Sequence, residues 1–114
     1  MSQSSLLPGT LDLLVLKAVS LGAEHGYGVL LRIQRASRGT LAIEQGALYP
    51  ALFRLESQGY IDAEWGVSEN NRKAKFYTLT RSGRARLNKD LGEWNRLVEA
   101  MGAVLGATRA EVLA

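Results

Sequence analysis

Residues 46–84 read GALYPALFRLESQGYIDAEWGVSENNRKAKFYTLTRSGR. Leu48, Leu52 and Leu55 fall at i, i+4 and i+7, the spacing of one buried helical stripe. Pro50 lacks an N–H and clashes one turn back, so it fits only in or near a first turn. The helix is therefore predicted to start near Gly46. Gly59 suits a left-handed cap, and Tyr60 follows it as the hydrophobic residue of a Schellman-type stop. Ile61, Ala63 and Trp65 then alternate with Asp62 and Glu64, and Phe76 to Thr80 are strong strand formers. Between the two strands SENNR supplies Asn70 and Asn71, both tolerant of positive φ. A helix with one polar face, then a ribbon with a basic tip, is the order of a winged helix-turn-helix. That order points to duplex DNA as a partner.

On the N-terminal side, Leu11, Leu14, Val15, Ala18 and Val19 follow helical spacing, with Thr10 as the expected N-cap and Gly22 as a stop. Leu13 and Leu16 add a second apolar stripe, so this helix is expected to pack between two neighbours. A second helix is predicted from about Tyr27 to Ser37, with Leu30 and Ile33 inward, Arg32 and Arg35 outward, and Gly39 ending it. Leu41 and Ile43 suit a short strand or an extended link.

On the C-terminal side a long helix is predicted from Thr80 to about Gly106. Leu87, Leu91, Trp94, Val98, Met101 and Leu105 are spaced 4, 3, 4, 3, 4, a heptad seam. At 1.5 Å per residue such a rod is roughly 39 Å long, more than a small three-helix core covers. A second copy of the same helix is the natural partner. The alternative is packing on the first helix, which must share the seam because it is under three full heptads. Ala107 to Ala114 carries no clear stop and is expected to fray. The expected fold class is mostly α with a small β-hairpin. Residues 1–80 form a winged head and 81–114 a C-terminal dimerisation helix.

With 114 residues, 46% of them hydrophobic, one compact domain is the prior. Net charge is only +3, but it is unevenly placed: Arg72 to Lys89 holds seven of the fourteen Lys and Arg and no acid. Basic charge is thus focused where the ribbon ends and the next helix starts. The absence of cysteine excludes disulfides and thiol catalysis and removes the usual zinc ligands. MSQSS lacks a basic n-region, and Pro8, Asp12 and Lys17 break the apolar stretch after it. Neither a signal peptide nor a membrane span is expected, and the cytoplasm is the expected location.

Catalysis finds no constellation. His25 is the single histidine and cannot build a metal site or a triad; a local capping role is expected. Gly26-Tyr27-Gly28 is not a phosphate loop, since no strand precedes it and no GxGxxG follows. Gly26 is expected to serve a tight turn, Gly28 a close helix crossing, and Tyr27 the core. No enzyme, metal or cofactor is expected. For the nucleic-acid reading, the outward positions of the third helix are Gln45, Ala47, Pro50, Arg54 and Ser57. Gln45 and Ala47 stand at the end that touches bases, since Gln can hold adenine and an Ala methyl can meet that of thymine. Arg54 is placed to find a phosphate, and Tyr49 packs at the helix edge with its hydroxyl toward the backbone, or packs on Phe53. Arg72, Lys73 and Lys75 supply phosphate charge or enter a minor groove. Arg32 and Arg35 touch the backbone or face water. A second class of function is a winged-helix adaptor for protein interaction, since the fold serves both uses. The basic wing argues for DNA, because protein interface cores are depleted in lysine.

LLPGTLDLLVLKAVSLGAEHGYGVLLRIQ, GALYPALFRLESQGYI and WGVSENNRKAKFYTLTRSGR together resemble the PadR family of bacterial transcriptional regulators, over residues 6 to about 105. The single long helix after the wing looks like the short PadR subfamily. SENNRKAKFY is similar to a group of such regulators common in acidobacteria. The resemblance implies a homodimer on a palindromic operator, mostly repressing, and in many members released by a small effector. It places the tyrosine of the family's LYP motif at Tyr49 and the basic wing pair at Arg72 and Lys73. In similar multidrug-sensing members a tryptophan of the dimer helix flanks a flat aromatic ligand, and Trp94 matches that place. On physical grounds Trp94 is either seam packing or the wall of an effector pocket, with Leu91, Val98 and Met101 on the same seam.

Overall fold

The computed structural model describes residues 9–113. The segment in which no signal peptide is expected, Met1 to Pro8, and Ala114 lie outside the described residues. Helix α1 spans Thr10–Ser20, strand β1 Glu24–His25, α2 Gly26–Ala36, α3 Gln45–Ser57, β2 Ile61–Val67, β3 Lys73–Leu79, α4 Arg81–Leu105 and α5 Arg109–Leu113. Antiparallel pairing orders the three strands β1-β3-β2. The winged head and the long helix after it are both present as the sequence predicts.

The core sits where α1, α2 and α3 meet the base of the sheet. Val15, Leu16 and Val19 of α1 meet Val29 and Ile33 of α2, Leu48, Leu52 and Leu55 of α3, and Ile61 of β2. The apolar spacing read from the sequence thus sets which face of each helix turns inward. Leu11, Leu13 and Leu14 pack partly buried at the margin, while Leu16, paired with Leu13 in the second stripe, is in the core. Leu41 to Glu44 form an extended link, with Ile43 buried, and no strand.

Local signals fix most boundaries. At the end of α3, the Tyr60 amide donates to Leu55 O at 2.9 Å and the Gly59 amide to Glu56 O at 3.0 Å, with Gly59 at φ 81. This is the expected Schellman stop. Thr80 caps α4 by accepting from the Gly83 amide at 3.0 Å.

Several boundaries differ from expectation. Gly9 at φ 86 occupies the N-cap of α1, and Thr10 is the first helical residue. Pro50 is the sixth residue of α3 and lies inside it, beyond the first turn in or near which the sequence places it. Tyr27 is 50% exposed. It stands between two buried glycines at the start of α2, where Val29 and Leu30, not Tyr27, set the inward face. After Gly106 the chain makes the short helix α5, where a fraying end is expected from sequence. Thr108 starts it: its hydroxyl lies 3.0 Å from a Glu111 carboxylate oxygen and accepts from the Glu111 amide at 3.3 Å.

Candidate nucleic-acid interface

The site is built around the first turn of α2. His25 holds its imidazole Nδ1 3.1 Å from the Gly28 amide, which donates to it. The lone histidine is therefore an N-cap, in keeping with a local capping role. Gly28 is needed because a Cβ there would collide with the Glu24 side chain, and Gly26 because one would lie 2.7 Å from the Tyr49 ring. The glycine pair thus admits Tyr49 of α3 and Glu24 of β1 against the α2 backbone, a different use from the tight turn and helix crossing expected.

Tyr49 consequently lies on its side across the start of α2, 45% exposed, rather than packed on Phe53, which is 72% exposed. Tyr27, Tyr49, Trp65, Arg35, Arg72 and Lys73 are among the lining of an open groove of about 720 Å³ between α2, α3 and the wing. Lys73 places its ammonium 5.0 Å from the centre of the Trp65 ring. The wing tip is closed by Ser68, whose amide donates to Arg72 O at 2.8 Å, with Asn71 at φ 56.

Charges divide into tied and untied. The Arg32 guanidinium donates to Ala18 O at 2.9 Å and Gly22 O at 2.6 Å and stands 3.5 Å from Glu24. It bolts the α1–β1 turn to α2 and does not face water as an outward residue would. Arg54 pairs with Asp12 at 2.7 Å, and Lys75 with Glu56 at 3.3 Å. Among the described residues Arg35, Arg72 and Lys73 make no ion pair. Tyr77, buried beneath the groove, has its phenol pushed above its ordinary pKa by burial. Lys75 opposes that rise, while Glu56 and Tyr49 add to it.

Of the predicted contacts, Tyr49, Arg72, Lys73 and Lys75 share the groove wall. Gln45 and Ala47 are exposed at the start of α3 and are not part of that wall. Arg54 lies on the opposite flank, toward α1. Sequence reasoning missed Tyr27 and Trp65, which join the groove, and the outward-facing Phe53. On α4, Leu91, Trp94, Val98 and Met101 are all exposed, and Leu97 and Val104 widen their band. Trp94 and Leu97 line a second hollow of about 300 Å³ with Leu13 of α1 and Arg86, Asp90 and Glu93 of α4. Leu91, Val98 and Met101 stay outside it. Among the described residues no helix is long and apolar enough to cross a membrane, and no cluster of three His, Asp or Glu side chains is placed to hold a metal ion.

Residues 15–89 match the transcriptional regulator PadR-like family. The chain belongs to that family. A PadR family transcriptional regulator from Eggerthella lenta is 30% identical, with 88% of this chain and 85% of that one covered and a TM-score of 0.73. A transcriptional regulator from Clostridium thermocellum is 26% identical over 82% and 91% of the two chains, with a TM-score of 0.75. A PadR-like regulator from Bacillus cereus, 22% identical over 92% and 100%, shares the fold at a TM-score of 0.78. The PadR-like winged head and the long helix after it are therefore a common architecture, and the chain is a transcriptional regulator by family.

Proposed function

We propose that this PadR-like chain is a homodimeric repressor that grips a palindromic duplex operator with two copies of the α3–wing face and is released by a small aromatic effector. The groove carries the DNA reading. Three cations without an internal ion pair, Arg35, Arg72 and Lys73, line one groove with Tyr49 of α3, an arrangement suited to phosphates flanking a major groove. Gln45 and Ala47 are the base-reading residues, and Arg72 and Lys73 the phosphate contacts. Tyr49 presents its hydroxyl to the backbone. Arg54 and Lys75 reach a phosphate only by giving up Asp12 and Glu56. In this reading residues 1–80 are the DNA-binding head and 81–114 the dimerisation helix.

The exposed apolar band of α4 supports the dimer. Leu91, Val98, Met101 and Leu105 form a stripe too continuous to be left to water on a lone chain. Trp94 stands beside the hollow that an effector would enter, and a ligand there shifts the equilibrium only by its unequal affinity for the bound and free forms of the head.

Fluorescence anisotropy on duplexes from upstream of the chain's own gene tests this, titrated at several salt concentrations against a scrambled duplex. Selective binding with a steep salt slope is expected. Weak and equal binding to both, repeated over a wider set of genomic fragments, would replace the DNA reading with the adaptor.

A further inference from the structure

Helix α3 carries two charged residues, Arg54 and Glu56, and each is tied by an ion pair at the surface, to Asp12 on one flank and to Lys75 on the other. The row between those two flanks is uncharged. Gly46, Pro50, Phe53 and Ser57 follow one another at helical spacing on the face opposite Leu48, Leu52 and Leu55. A methyl group added at Gly46 would meet nothing within 4 Å, so that face opens directly outward. Phe53 is 72% exposed at its centre, on a helix whose Tyr49 edge leads to the wing cations.

A helix in the major groove without a cation on its leading face has no fork for guanine O6 and N7. An apolar face has one strong partner there, the C5 methyl of thymine, which marks the groove edge of that base. Resting on the reading of α3 as the recognition helix, we infer that Phe53 is a specificity residue that packs on a thymine methyl in each operator half-site. Gln45 lies eight residues away, about 12 Å along the helix axis. The thymine therefore sits about three to four base pairs from the base that Gln45 reads, at about 3.4 Å per base pair. The tyrosine edge of α3 faces the wing groove, so the Phe53 contact is distinct from the phosphate contacts of Arg72 and Lys73.

The test substitutes deoxyuridine for each operator thymine in turn, which removes the methyl and keeps the hydrogen-bonding edge. Anisotropy is read for the wild-type chain and for Phe53→Ala. One thymine position per half-site is expected to weaken wild-type binding by about fourfold, and about fifteenfold when both half-sites are changed. Phe53→Ala should bind the thymine duplex as weakly as the wild type binds the uracil duplex, and should not respond further to uracil there. A wild-type chain that selects the operator but tolerates uracil everywhere overturns the inference, as does an undiminished uracil effect in Phe53→Ala. No selection of any operator sinks the underlying DNA reading instead. Because Phe53 is exposed, the variant is expected to keep the wild-type melting temperature, which separates lost contact from lost fold.

Discussion

Gly83→Ala tests the joint between head and rod. Gly83 is buried in the first turn of α4, and an added methyl would fall far inside van der Waals contact with the Tyr60 carbonyl oxygen, with Leu79 Cδ1 at 2.9 Å. A side chain could rotate away, but the carbonyl belongs to the backbone at the exit of α3. That carbonyl and the neighbouring Gly59 O anchor α4. The Thr80 amide donates to Tyr60 O at 3.1 Å, and the hydroxyls of Thr80 and Ser82 donate to Gly59 O at 2.7 and 2.9 Å. Relief of the clash means moving α4 outward and stretching these bonds. Overpacking of this kind costs about 1–3 kcal/mol, and each weakened hydrogen bond about 0.5–1.5 kcal/mol. Against this, Ala is better than Gly in a helix interior by about 1 kcal/mol. The clash wins, and a net loss of about 2–4 kcal/mol is expected, read from urea denaturation at fixed protein concentration. Gly92→Ala is the control. It lies on the same helix with only a flexible Arg96 end 3.7 Å away, so propensity alone should act and stabilise by up to about 1 kcal/mol. A Gly83→Ala chain as stable as the wild type would refute the account of the joint.

Arg72→Ala with Lys73→Ala should weaken binding to every duplex and lower the log–log salt slope by about 2 per head, since each lost phosphate contact removes about 0.9. An unchanged slope removes the wing from the interface. Val98→Glu with Met101→Glu places carboxylates on the exposed band of α4 and should halve the mass seen by light scattering. A double variant with the wild-type mass would move the dimer contact elsewhere. Arg32→Ala unbinds Ala18 O and Gly22 O and should cost about 2 kcal/mol of stability, most of it from charged hydrogen bonds; a loss below about 0.5 kcal/mol would mean the turn holds without it. Tyr77 has a raised folded pKa, so the folded chain keeps a proton that the unfolded chain releases. That contribution is whole below the ordinary phenol pKa of about 10 and is lost as pH rises through the raised value. Tyr77→Phe should flatten the alkaline fall of the urea midpoint, and an equally steep fall would assign it to other groups.

Features with local causes were legible in the sequence. The ends of α3 and α4 follow from Gly59, Tyr60 and Thr80, and the inward faces from leucine spacing. The cap of α2 is His25, where a capping role was the natural use of a lone histidine. Features with distant causes were not legible. The sequence predicts no strand before Gly26, yet β1 stands directly there; two residues show no periodicity, so it is visible only through its pairing with Tyr77 and Phe76. Arg32, Arg54 and Lys75 read as outward cations because their carbonyl and carboxylate partners lie on other elements. The exposure of Tyr27 was hidden because flanking glycines carry no side chain to set the helix phase. Helix α5 is a different case, since Thr108 and Glu111 stand at capping-box spacing and the signal was there to be read.

The short pairing of β1 also sets an order in time. Glu24 lies beside Tyr77, 53 positions downstream in the chain. Helices α1 and α2 have no such wait and can form from neighbouring residues as the chain emerges. The central strand β3, and with it the seat of β1, arrives only near the end of the head. At about 5–20 residues per second a ribosome needs roughly 3–10 s to cover that distance. In the last part of that interval, once α3 has emerged, the apolar faces of α1, α2 and α3 can meet one another but lack the sheet. The nascent chain is then at its most aggregation-prone, and its final closure is a single late event governed by one strand.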